Sequence, residues 1–81
     1  MNEGRLPLCS SAQVVSALGR LGCYPGKAKS SSHQSFHRRI SDGRVVTAPV
    51  VLGKKEVPRG TLRSILALLE IPAEQFMGVL R

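Results

Sequence analysis

Residues 44–52 read RVVTAPVVL and restrict what this chain can fold into more than any other stretch. Five of the nine are β-branched, the composition of a strand. The Asp42-Gly43 step just before them is a hairpin signal. Pro49 cannot serve a ladder on both sides, so the far end of this strand belongs at an edge or a bulge. The block lies between two stretches of helical period. In SSAQVVSALGRLG, Val14, Leu18 and Leu21 repeat at i, i+4 and i+7, with Val15 widening the stripe. Ser10 and Gln13 have capping-box spacing, and Gly22 suits the left-handed end, so a helix is expected over 11–21. In TLRSILALLE, residues 61–70, Leu62, Ile65, Leu66 and Leu69 share one face, with Thr61 or a neighbour as the cap.

The remaining segments fill in a topology. SHQSFHRRI alternates loosely, as a half-buried strand does. CYPGKAK holds Pro25 and Gly26 and reads as an edge or irregular strand. PAEQFMGVL reads as a short third helix, with Pro72 in its first turn and Phe76, Met77 and Leu80 on the buried side. The order is α-β-β-β-α with an extra C-terminal helix, a small α+β sandwich. Residues 1–9 read as a flexible extension and 10–81 as one domain. With only three aromatics in 81 residues, the core must be mostly aliphatic. No apolar run approaches the about 20 residues of a membrane span, and the first residues make a poor signal peptide, so a cytoplasmic protein is expected. Cys9 and Cys23 are too few for a disulfide scaffold or a four-ligand zinc site and read as small, partly buried apolar residues.

Charge narrows the class of partner. The net charge is +7, and nine basic and two acidic residues fall between positions 27 and 63. The middle of the chain therefore carries the whole excess, which suits a polyanion such as nucleic acid. A metal nuclease needs clustered ligands. The five acids are scattered, and His33 and His37, four apart on a strand, lie about 13 Å apart at roughly 3.3 Å per residue. No metal site and no cofactor is expected. A metal-free route remains, because RNA carries its own nucleophile in the 2′-hydroxyl. Histidine titrates near neutrality and moves protons, and Lys and Arg stabilise the phosphate. The run SSSHQSFHRR, residues 30–39, holds both kinds of group.

The SSH step followed by Phe36, then DGRVVTAPV, a basic loop and RGTLRSILALLEIPAEQF, together resemble the HicA toxins of bacterial type II toxin–antitoxin modules. Their pattern runs from a first helix ending near Gly to Gly-Ser-His, an Asp-Gly-Arg hairpin, a strand with Thr-x-Pro and Gly-Thr-Leu-Arg-Ser-Ile-Leu. The resemblance covers about residues 10–80, and GTLRSIL at 60–66 is its most specific part. Ser31 stands where the pattern has Gly, and the HRRISDGR hairpin is about two residues longer. The resemblance implies a double-stranded-RNA-binding-domain-like fold, metal-independent cleavage of mRNA and neutralisation by a HicB-type antitoxin. It puts the catalytic histidine at His33 and the motif serine at Ser32. Phosphate contacts are then expected from Lys27, Lys29, His37 and Arg38, and from Lys54, Lys55, Arg59 and Arg63 around the start of the second long helix. A non-catalytic RNA-binding module of the same fold is the alternative.

Overall fold

The computed structural model describes residues 6–81, apart from the side chain of Lys29. Helix α1 spans Ser11–Arg20. Ser10 Oγ accepts the Gln13 amide at 3.1 Å, and Gln13 Oε1 accepts the Ser10 amide at 2.9 Å, so the expected capping box closes the first turn. Such a cap contributes about 1 kcal/mol. At the other end Gly22 takes a φ of 86°, and the Cys23 amide reaches back to the Leu18 carbonyl at 3.0 Å. The left-handed glycine lets the chain turn straight into the sheet.

Three antiparallel strands follow: β1 (Tyr24–Ser30), β2 (His33–Arg39) and β3 (Val45–Val51), in spatial order β1-β2-β3. The SSSHQSFHRR run thus spans the β1–β2 turn and the central strand. The β2–β3 register is unbroken from His33 opposite Val51 to Arg39 opposite Val45. Pro49 sits in it without a bulge because β3 is an edge along its whole length. The other edge, β1, shifts register twice between Pro25 and Ser30, as its Pro-Gly step leads one to expect.

Helix α2 spans Arg59–Leu68 and α3 spans Ala73–Val79. The sequence places the start of α2 at Thr61; the helix begins two residues earlier. Pro58, at φ −55° and ψ 141°, is the cap, and its carbonyl accepts the Leu62 amide at 2.9 Å. Proline's restricted φ starts the helix without a side-chain cap.

The helices cover one face of the sheet. Phe36, Ala48 and Val50 point from the sheet into a core shared with Val14 and Leu18 of α1, Leu62, Ile65 and Leu66 of α2, and Phe76 of α3. Phe76 is fully buried, and truncating such a residue typically costs about 3–5 kcal/mol. The N-terminal segment also belongs to this core. Leu6 and Cys9 are buried, Val57 donates to the Cys9 carbonyl at 2.7 Å, and Arg59 Nε donates to the Leu6 carbonyl. Residues 6–9 are therefore packed and not a flexible extension; residues 1–5 lie outside the described residues. Apolar Leu6 next to Pro7 gives no helical or strand period, which is why the sequence conceals the docking. The molecule is a slab of 35 × 32 × 19 Å, and among the described residues no helix packs on the second face of its sheet.

Candidate functional site

The site is built at the end of the sheet where β1 turns into β2. Ser31 and Ser32 form the turn, and His33 is the first residue of the central strand. His33 is exposed, and its Nδ1 lies 3.3 Å from Ser32 Oγ and 3.4 Å from Ser30 Oγ. The two hydroxyls are themselves 3.4 Å apart. Together they hold one ring nitrogen, while no group among the described residues bonds Nε2. A ring held at Nδ1 with Nε2 open is arranged to exchange a proton with an approaching molecule.

The turn's Ser31 carries no backbone strain. Among the described residues other than glycine, Glu70 alone has a left-handed φ. The position where the resembling pattern has Gly is thus one that any residue adopts here.

Ser11 ties this end together. Its Oγ donates to the Val51 carbonyl at 2.8 Å and accepts the Lys54 amide at 3.0 Å, while its own amide donates to the Lys54 carbonyl at 2.9 Å. The Leu52 amide donates to the Ser32 carbonyl at 2.8 Å. Since Val51 pairs with His33, the start of α1, the end of β3 and the serine turn form one hydrogen-bonded unit. Lys54 and Lys55 emerge from it exposed. Neither ammonium group has a hydrogen bond or ion pair among the described residues, so their charge is available to an anion. With Ser10, Ala12, Val15 and Leu52 they line an open groove of about 550 Å³.

The other basic residues divide sharply. Lys27 lies exposed on edge strand β1. The Lys29 side chain is outside the described residues. Arg38 points the other way: its Nη1 donates at 3.0 Å to the carbonyls of both Leu69 and Glu70. Arg59 is bonded to Leu6, and Arg63 also has a partner within the molecule. Arg63 lines a separate cavity of about 200 Å³ with Leu6 and Ile71. His37 lies on the face of β2 that carries His33, four residues along, with Nδ1 2.7 Å from Thr47 Oγ1 and its ring 5.5 Å from that of Tyr24. His33 and Ser32 are therefore linked to the Lys54 backbone through the Leu52–Ser32 and Ser11 hydrogen bonds, while Arg38 and Arg59 hold backbone carbonyls elsewhere and Arg63 lines the separate cavity.

Both thiols are buried, and burial pushes each above its ordinary pKa; for Cys23 the charge of Arg38 partly opposes this. Cys23 precedes the end of β1 that pairs with His37, a strand length from His33, so the two form no nucleophile pair. Among the described residues no three His, Cys, Asp or Glu side chains gather as ligands. Three residues of the site have no distinct mark in the sequence. Ser11 is masked by its capping neighbour Ser10. Ser30 and Tyr24 reach the two histidines only through the β1–β2 register.

A family model described as the HicA toxin of bacterial toxin–antitoxin matches residues 11–71. The chain belongs to the HicA toxin family. No curated protein and no solved structure matches it. The HicA match runs from the first residue of α1 through both hairpins to Ile71, three residues past the end of α2, so it contains Ser11, Ser30, Ser32, His33, Lys54 and Lys55. The docked segment at residues 6–9 and helix α3 lie outside it. Membership makes this HicA chain the toxin of a toxin–antitoxin module. No helix among the described residues is long and apolar enough to cross a membrane.

Proposed function

We propose that this HicA toxin is an endoribonuclease that cleaves mRNA in the cytoplasm without a metal cofactor, with His33 as its general acid/base. One observation carries the reading: an exposed imidazole, held at Nδ1 by Ser30 and Ser32, stands on the same hydrogen-bonded unit as the unpaired Lys54 and Lys55. In the reaction the ribose 2′-oxygen attacks the adjacent phosphorus and the bond to the 5′-oxygen breaks. The products are a 2′,3′-cyclic phosphate and a 5′-hydroxyl. His33 takes the 2′ proton or delivers one to the leaving oxygen, and the lysines stabilise the extra negative charge on phosphorus. Lys27 on the neighbouring strand extends the cationic margin. A HicB-type antitoxin is the natural inhibitor, since covering one exposed histidine suffices to stop the chemistry.

The test is cleavage of RNA in excess chelator by the wild-type chain and by His33→Ala. A general acid/base contributes about 10²–10⁴-fold. A loss of that size with RNA binding intact is expected. Salt-sensitive RNA binding with no cleavage by the wild type would leave a non-catalytic binding module instead.

A further inference from the structure

The face of the sheet turned away from the helices has a second feature besides His33. His37 is fixed there from three sides. Its Nδ1 bonds Thr47 Oγ1 at 2.7 Å, on β3. Its ring meets Tyr24, on β1, at 5.5 Å between centroids and a tilt of 42°. It also fills the space above Gly26, where a Cβ would collide with the imidazole. The glycine thus lets the histidine lie across the edge strand, as aromatic side chains do over glycines in sheets. The result is a paired, preorganised set of rings, with Tyr24 41% exposed to solvent. Arg39, two residues further along the same face, is exposed and has no hydrogen bond or ion pair among the described residues.

We infer that this outer face is a stacking platform for unpaired RNA: a base rests on Tyr24 beside His37, Arg39 meets the backbone, and the strand runs along β2 to His33. Tyr24 is then a positioning and specificity residue for the site proposed above, and the inference rests on that reading for the chemistry at His33 but not for the binding. Aromatic rings on a sheet, flanked by cations, suit the π-faces and phosphates of a single strand. A duplex does not fit, because its bases are stacked on each other and show no free face. His33 and His37 are about 13 Å apart along the strand, so the stacked base is a few nucleotides from the scissile phosphate.

The chain has one tyrosine and no tryptophan, so its ultraviolet emission comes from position 24. The experiment titrates the full chain with a short, unpaired, fully 2′-O-methylated RNA, which has no 2′-hydroxyl to react, and with the same strand in duplex. The unpaired strand is expected to quench Tyr24 and the duplex not. Tyr24→Ala should weaken binding by roughly 10- to 100-fold, the loss of one base stack, while Tyr24→Phe retains it. Binding without quenching, preference for the duplex, or equal affinity in Tyr24→Ala overturns the inference. So does protection of Tyr24 by a protein partner in a chain that binds no RNA. Quenching without cleavage of ordinary RNA would keep the platform and remove the ribonuclease. Cleavage lost in His33→Ala but untouched in Tyr24→Ala would do the reverse.

Discussion

Arg38 donates through Nη1 to the backbone carbonyl of Glu70 at 3.0 Å, and to that of Leu69 at the same distance. A basic residue of the central strand thereby closes the C-terminus of α2. The closure has a strained centre. Glu70 has a φ of 57°, the left-handed conformation usually given to glycine, and the Ile71 amide reaches the Leu66 carbonyl at 2.9 Å. Arg44 adds a contact to the Glu70 carboxylate at 3.5 Å. Arg38 and Arg44 hold a turn that the local sequence alone disfavours.

Arg38→Ala is expected to lower stability by about 1.5–3 kcal/mol, the range for hydrogen bonds from a charged donor. Urea unfolding checks the loss. RNA affinity of the folded variant should be close to that of the wild type, which distinguishes a structural guanidinium from one bound to phosphate.

Glu70→Gly should raise stability by about 1 kcal/mol. A left-handed non-glycine residue carries roughly 1–2 kcal/mol of strain, and the exposed Arg44 contact it would lose is worth less. A higher thermal midpoint, with cleavage unchanged, is the expected result.

Lys54→Ala and Lys55→Ala should each weaken RNA binding and reduce the slope of log affinity against log salt by roughly 1. Arg59→Ala should change the slope less, since its Nε is held by the Leu6 carbonyl and fewer of its donors are left for a phosphate. Salt titrations of the three variants separate these outcomes.

The double variant Ser30→Ala, Ser32→Ala should cut the turnover rate by about 10-fold, less than His33→Ala, because it frees the ring without removing it. KM should hardly move. Single-turnover cleavage at saturating RNA is the measurement.

The β2–β3 turn should loosen in acid. The Arg44 backbone amide, and then its guanidinium, hold the Asp42 carboxyl below the usual carboxylate range. A depressed folded pKa gives a contribution that is complete above the ordinary Asp range and lost as pH falls through the lower, folded value. The wild type should therefore lose thermal stability more steeply than Asp42→Asn as pH drops below about 4. Thermal melts from neutral pH down through that range report the difference.

The sequence by itself determined the elements and their order. Period, capping residues and turn glycines act within a few positions of each other, so Ser10 with Gln13, Gly22, and Asp42-Gly43 declare their turns locally. The aliphatic stripes likewise announced Leu62, Ile65 and Leu66 as core. The family was legible because its motifs, around His33 and at residues 60–66, are contiguous. Tertiary structure alone decided which cationic side chains are bonded within the molecule. Arg38, Arg59, Lys54 and Lys55 look alike along the chain, yet the two arginines donate to the carbonyls of Leu69, Glu70 and Leu6, distant in sequence, and the two lysines have no such partner among the described residues. It also decided the burial of Leu6 and Cys9, the anchoring by Ser11 and the meeting of Tyr24 with His37. Each depends on strand register or chain crossing between residues distant in sequence, and such contacts leave no local period to read.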